Sequence, residues 1–359
     1  METVLVGLSG GVDSTVCASL LKEKGYNVIG ATMAIWGNRE IKGMAVQKGH
    51  KDACFKPNEK EDIDEARKIS ERLGIPYHVL DCADEYNEVV LKHFKSEYLK
   101  GRTPNPCIWC NALIKFGALP YMAKKQGVEF DKFATGHYAR TGFENGRYVL
   151  RQGVDKTKDQ SYFLYRLTQE QLKNIILPLG DFSKVQIREI ARNLGLEVAD
   201  KPDSQDFYNG DYNELLEVAP KKGYIKDLDG KILGEHEGIW NYTIGQRKGL
   251  GVSSSEPLYV LSLNKDDNSV IVGFRDKTFK KQLTAVNLNF VSFDRIIDED
   301  DIYAKFRSTQ VPQKAHVTIE NDTMTVVFEE YQKSIAPGQS VVVYKGDMVA
   351  AGGIIESAE

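Results

Sequence analysis

The stretch Leu5-Val6-Gly7-Leu8-Ser9-Gly10-Gly11-Val12-Asp13-Ser14 decides the fold. Its apolar start, from Val4 to Val6, reads as a strand. A Ser-Gly-Gly turn follows, and Cys17, Leu20 and Leu21 then carry a helical pattern. Glycines let a backbone turn sharply and lie against a ligand. A helix that begins there points free N–H groups and a positive dipole end at the turn, which suits an anion. Ser9, Ser14 and Thr15 add hydroxyl donors, so the expected anion is a nucleotide phosphate group. The stretch lacks the Gly-Lys-Ser/Thr ending of a Walker loop and the three-glycine spacing of a dinucleotide fingerprint.

Outward from this turn, strand and helix signals alternate to about residue 205. Strands are expected at 3–8, 27–33, 77–81 and 132–136, and helices at 13–24, 62–73, 84–99, 111–126 and 168–178. Such alternation predicts an α/β domain with a parallel sheet covered by helices on both faces. Ile63, Ala66, Ile69 and Leu73 form a helical stripe that Arg67 and Lys68 fall outside. Asn145-Gly146 predicts a hairpin turn. Ser183 reads as an N-cap and Gly195 as the residue after a helix end. After about 206 come short strands and glycine turns, such as Asp227 to Lys231. From about 280 strands at 303–307, 315–320, 323–328 and 341–345 predict a small antiparallel β-barrel. The expected domains are a nucleotide-binding catalytic domain at 1–205, a small central domain at 206–278 and the barrel at 279–359.

At 359 residues the chain is too long for one typical core. No run is long enough to span a bilayer. Strand residues begin at once, without a signal peptide, so the expectation is a cytoplasmic protein with no membrane partner. A net charge of −4 excludes a generic polyanion binder, and any nucleic-acid role needs a local basic face. Lys92, Lys95, Lys100 and Arg102, or Lys115, Lys124 and Lys125, are candidates for one, as are Lys156 with Lys158, Arg247 with Lys248, and Lys280 with Lys281.

Five cysteines, an odd count, argue against a disulfide framework. Pro104-Asn105-Pro106-Cys107-Ile108-Trp109-Cys110-Asn111 places two thiols at C-x-x-C spacing in a loop stiffened by prolines. Cys110 would stand near a helix start, where a thiolate is favoured near neutral pH. Half of a zinc site is one reading, but no second pair at suitable spacing completes it. Inert thiols are another. Sulfur chemistry is the third: Cys110 carries a persulfide to a carbon activated by adenylation.

These segments together resemble the tRNA-specific 2-thiouridylases, a PP-loop ATP pyrophosphatase family, over nearly the whole length. The resemblance is carried by Gly7 to Ser14, Met33, the run 101–106, Cys110-Asn111, 114–116 and 134–138. It continues through 158–164, 203–206, 234–236, 242–251, 336–339 and 352–353. It implies ATP-dependent thiolation of C2 of the wobble uridine of tRNA, with a sulfur-donor protein (a cysteine desulfurase or a relay) as second partner. It implies that Gly7, Leu8, Ser9, Gly10, Gly11, Val12, Asp13, Ser14, Met33 and Gly136 hold ATP, and that the central segment contacts tRNA. Cys110 would be the nucleophile, Asp13 would serve Mg²⁺ or loop order, and Cys107 would lie with Asn105 and Pro106 against the target base. His137, Lys158, Asp159, Gln160, Arg307, Ser308 and Gln339 match tRNA-contacting positions. Read without the family, Lys158 and Gln160 are a surface turn and His137 a strand-end histidine satisfied by backbone. Trp109 either stacks on the flipped uridine or packs inward.

The chain departs from the family in two places. The usual second cysteine after the Ser204-Gln205-Asp206 run is Tyr208 here, and a phenol cannot carry sulfane sulfur. Either Cys107 resolves the cycle, or Cys54, Cys107 and Cys110 bind a [4Fe–4S] cluster with one open iron. Ser308 also follows Arg307 where an aromatic residue is usual. A thiolating relative acting on a small nucleobase or amide, and a non-catalytic tRNA-binding module, are the alternatives.

Overall fold

The computed structural model describes residues 1–37, 53–196, 207–296 and 301–359. The Ser204-Gln205-Asp206 run lies outside these. The chain divides into two compact units: Met1–Val90 with Pro106–Glu214 and Asp347–Val349, and Leu91–Asn105 with Leu215–Gly346 and Ala350–Glu359.

The first unit is built on a parallel sheet. Its strands are β1 (Thr3–Gly7), β2 (Asn27–Ala34), β3 (Tyr77–Asp81) and β4 (Lys132–Ala134). The hairpin β5 (Ala139–Glu144) and β6 (Arg147–Gln152) follows, and then β7 (Ile175–Ile176). Among the described residues the sheet order is β3-β2-β1-β4-β7, every pair parallel. Helix α1 (Val12–Glu23) packs through Val16, Cys17, Leu20 and Leu21 into the core formed with Val4, Val6, Ala66 and Ile69. Helix α2 (Glu59–Leu73) buries Ala66 and Ile69 and exposes Arg67 and Lys68, as its stripe predicts. The hairpin turns through Asn145 (φ 51°) and Gly146 (φ 79°), the left-handed pair that a two-residue turn needs.

Two expected helices are not regular. Helix α3 (Ala83–Tyr86) runs into a π-helical turn, Asn87–Leu91, and then, within the second unit, α4 (Lys92–Leu99). The thiol-bearing helix starts at Pro106 as α5 (Pro106–Trp109), widens into a π-helix at Cys110–Ala118 and returns to α in α6 (Leu119–Lys125). The expected helix at 168–178 ends early. Here α7 (Gln169–Lys173) stops before Ile175 and Ile176, whose pairing with β4 overrides their place in the helical pattern. Helix α8 (Lys184–Asn193) opens on a capping box, with Ser183 Oγ accepting from the Gln186 N–H and Gln186 Oε1 accepting from the Ser183 N–H. Gly195 follows its end at φ 63°. A short α9 (Tyr212–Leu216) closes this stretch of chain.

The second unit holds a small sheet of β8 (Gly223–Lys226), β9 (Ile232–His236), β10 (Tyr259–Asn264) and β11 (Ser269–Gly273), in the order β10-β11-β8-β9. Its barrel strands are β12 (Phe279–Phe290), β13 (Ile302–Lys305), β14 (Gln313–Glu320), β15 (Thr323–Lys333), β16 (Ser340–Lys345) and β17 (Met348–Ala358). Their order is β12-β15-β14-β13-β16-β17, and β12 pairs again with β17, so the sheet closes on itself. Leu283, Val317, Met324, Val326, Phe328 and Val343 fill its interior. Among the described residues, no helix is long and apolar enough to cross a membrane.

Candidate active site

The loop after β1 has the geometry of an anion cradle. Gly10 adopts φ 73°, and Gly11 is the N-cap of α1 with no side-chain cap among the described residues. The first N–H groups of the helix therefore face the loop without a side-chain acceptor at the cap. Ser14 Oγ accepts from the Ser9 N–H at 3.1 Å and lies 3.2 Å from Ser9 Oγ. Thr15 Oγ1 donates to the Gly11 carbonyl at 2.8 Å. These bonds fix the loop from within. Met33 is half-buried on β2, paired with Leu80 of β3.

The segment after β4 closes the cradle. A Cβ on Gly136 would stand 2.7 Å from the Asp13 carbonyl carbon and 2.9 Å from the Ser14 nitrogen, so glycine is required there by contact. Tyr138 reaches the same place: its hydroxyl donates to Asp13 Oδ1 at 2.8 Å. Lys184, at the start of α8, donates to both Asp13 oxygens at 2.8 and 2.9 Å. Gln160 exchanges two bonds with the Tyr138 backbone, its N–H to the Tyr138 carbonyl and its Oε1 from the Tyr138 N–H, both at 2.9 Å. Asp159 accepts from the N–H groups of Gly153 and Ser161 and from Ser161 Oγ, and so shapes the turn that carries Lys158. Lys158 itself is half-buried in that turn.

His137 links the cradle to the thiols. It is buried, its Nδ1 bonds Thr135 Oγ1 at 2.7 Å, and its ring lies 5.6 Å from that of Phe116 on the thiol-bearing helix. The partner is a side chain and not the backbone expected from sequence. Burial holds its imidazole well below the usual range, and the Lys115 charge adds to this, so it is neutral at pH 7.

Cys107 and Cys110 are half-buried. The expected low thiol pKa of Cys110 is not found: burial pushes it up to about 11, with Lys115 opposing and Cys54 adding to the shift. The thiol-bearing helix also begins earlier than expected. Pro106 takes its first position, so Cys107 occupies the first turn and Cys110 lies beyond it, where the dipole effect fades. The π-helix at Cys110–Ala118 leaves carbonyls without their usual partners, and Gln171 Nε2 takes two of them, Ala112 O at 2.7 Å and Phe116 O at 3.0 Å. Beside Cys110, the buried Asn111 Oδ1 has no hydrogen-bond partner among the described residues. The Arg166 guanidinium covers the ring of half-buried Trp109, 4.3 Å from its centroid.

The residue at the missing-cysteine position is fixed. Tyr208 is buried, its hydroxyl bonds Glu214, and burial with that carboxylate pushes its pKa up. Neighbouring Phe207 accepts from the Phe55 N–H at 2.8 Å. Fully buried Phe55 stacks on Tyr86 of α3 at 5.2 Å and lies 6.3 Å from Tyr208. Helix α3 packs against the π-helix, and Cys54 is exposed beside Phe55. Cys82, at the start of α3, is buried with a pKa near 12, an inert thiol. Among the described residues no three His, Cys, Asp or Glu side chains are arranged to hold a metal ion. Cys54, Cys107 and Cys110 are thus not gathered into a cluster site among the described residues.

The remaining positions lie in the second unit. Gln339 Nε2 donates to the Thr103 carbonyl at 2.9 Å, and Arg102 pairs with Glu97 and Glu356 at 2.7 and 2.8 Å. A Cβ on Gly338, at φ 90°, would stand 2.9 Å from the Thr103 nitrogen. The 101–105 run, with Asn105 half-buried, is therefore clamped onto the 336–339 turn. Arg307 donates to the Ser334 carbonyl at 2.7 Å, and the Ser308 carbonyl accepts from Lys305 at 3.4 Å. Arg247, Gly249, Gly251 and Ser254 line an open cleft of about 450 Å³.

Comparison with known proteins decides the family. Residues 2–208 match the tRNA methyl transferase HUP domain, 215–274 the tRNA methyl transferase PRC-barrel domain and 280–355 the aminomethyltransferase beta-barrel domain. The tRNA-specific 2-thiouridylase MnmA of Endomicrobium trichonymphae is 48% identical, over 99% of this chain and 100% of that one. Its counterpart from Acetivibrio thermocellus is 44% identical over 99% of both. The chain belongs to the tRNA-specific 2-thiouridylase family. Within this family member, Lys184 and Gln171 are the residues that sequence reading misses, while Lys115, named there as a basic-face candidate, acts on Cys110. Lys184 has one signal, its place directly after an N-cap serine, but its pairing with Asp13 is a long-range contact that spacing cannot reveal.

Proposed function

We propose that this protein is an ATP-dependent tRNA sulfurtransferase that replaces O2 of the wobble uridine with sulfur. One observation carries the reading: residues 135–138 touch both halves of such a reaction, Gly136 against the phosphate loop and His137 against the helix of Cys110. The loop would hold the pyrophosphate of ATP while AMP is transferred to the uridine oxygen, and Asp13, engaged by Lys184 and Tyr138, would keep the loop in order. A sulfane sulfur on Cys110, delivered by a donor protein, then attacks C2, and AMP leaves with the oxygen. Phosphate-loop and thiol chemistry together favour thiolation over methyl transfer.

The thiol needs activation, since burial keeps it protonated at neutral pH. A persulfide is more acidic than the thiol that bears it, and Lys115 is the cation that acts on Cys110. A base splayed from an anticodon loop exposes the pyrimidine edge that a duplex hides. Asn105, Pro106, Cys107, His137, Lys158, Asp159, Gln160, Arg307, Ser308 and Gln339 are proposed to serve tRNA. For the buried His137 and the half-buried Asp159 and Gln160 this means shaping the surface that RNA meets. With Tyr208 engaged by Glu214, release of sulfur from Cys110 falls to another thiol, Cys107 or Cys54, or to an external one.

The test is incubation of the purified protein with ATP, a persulfide donor and total tRNA, with mass spectrometry of the nucleosides and measurement of released AMP. TRNA-dependent AMP release together with 2-thiouridine is expected. AMP release with a small nucleobase or amide in place of tRNA would replace this reading.

A further inference from the structure

A carboxylate is an awkward group to find on an anion cradle. Asp13 sits in the first turn of α1, where it complements the helix dipole but would repel a phosphate in the same place. Its side chain is 29% exposed, on the loop and not sealed in the core. The Lys184 side chain is 9% exposed, with its Nζ 2.8 and 2.9 Å from the two Asp13 oxygens. The ammonium also lies 5.6 Å from the centre of the Tyr138 ring, whose hydroxyl bonds the same carboxylate. Asp155 Oδ2 accepts from the Lys184 N–H at 3.1 Å and fixes the start of α8 that aims the side chain.

We propose that Lys184 is the charge-compensating residue of the phosphate loop: it cancels Asp13, so that the cradle presents backbone N–H groups and a positive helix end to pyrophosphate. Lys184 is a positioning residue in this role, acting through Asp13. The inference rests on the loop being the nucleotide site. It yields an ordering set by local charge. The native pair sums to zero, Lys184→Met leaves a net negative loop, Asp13→Asn a net positive one, and the double variant returns to zero.

Equilibrium binding of metal-free inorganic pyrophosphate to the full chain, at low and constant ionic strength, reads this ordering. Lys184→Met is expected to bind about tenfold or more weakly, Asp13→Asn at least as tightly as the native protein, and the double variant within about threefold of native. Lys184→Arg should restore binding to Lys184→Met. A double variant as weak as Lys184→Met would overturn the proposal, because Lys184 would then meet the phosphate itself or support the fold. Should Lys184→Met fail to fold, as judged by its melting curve, Asp13→Asn alone decides: weaker binding than native sinks the charge argument. A native protein that binds neither pyrophosphate nor ATP would instead remove the nucleotide reading of the loop, and this inference with it.

Discussion

The phosphate loop and the thiol-bearing helix share one unit yet are made in opposite ways. The loop works through its backbone: glycine conformations, open helix N–H groups and a close approach by Gly136. The thiol helix works through side chains that surround it, with burial against Lys115 and Cys54 setting the state of Cys110. Backbone chemistry leaves a compact signature in sequence, whereas an environment is assembled from residues far apart in the chain. The comparison teaches that a motif can be read correctly while the state of its reactive atom is read with the wrong sign.

Four experiments break or sharpen this contrast. Cys110→Ser should lower tRNA thiolation by about 10³-fold or more while tRNA-dependent pyrophosphate release continues. Undiminished thiolation would move the nucleophile elsewhere. Gly136→Ala should cost about 1–3 kcal/mol in the nucleotide-bound state and raise the KM for ATP about tenfold or more, because the new Cβ meets backbone that cannot yield. A KM within twofold of native would show that the loop has slack.

The alkylation rate of Cys110, followed by peptide mass spectrometry, should rise about tenfold per pH unit between about pH 7 and pH 10. The sign follows from the raised pKa: the thiol is protonated below about 11 and gains thiolate as pH rises towards it. A plateau near pH 8 would mean that the helix end governs after all. Gln171→Ala should lower stability by about 1–2 kcal/mol, visible as a drop of a few degrees in melting temperature, through the two carbonyls it leaves unpaired. An unchanged melting temperature would show that water serves them equally well.

Sequence reading reaches the strands of the parallel sheet to within a residue or two, because β1 to β4 are short apolar runs bounded by turn residues. It finds the Asn145-Gly146 turn, the Ser183 cap and the four barrel strands β13 to β16 for the same local reason, but not β12 and β17, which close the barrel. It misses the π-helix, which no side-chain period announces, and it extends the helix at 168–178 across Ile175 and Ile176, where pairing with β4 decides. In the site, Asp13 and Gly136 are legible from their motifs. Lys184, 171 positions from Asp13, is not. The protonated state of Cys110 is hidden because it follows from burial, which the spacing of the thiols does not report.

The π-helix beginning at Cys110 also makes residue number a structural quantity. A wide turn holds one residue more than an α-turn, so deleting a single residue between Ala112 and Phe116 would let the helix regularise. The wide turn makes with its extra residue the rotation that an α-turn makes without it, so the side chains beyond the deletion would keep their facing. The carbonyls that Gln171 bridges would then find partners within the helix. A single deletion in this span should therefore be milder than one in a regular helix, where it would turn every later side chain by about 100° about the axis.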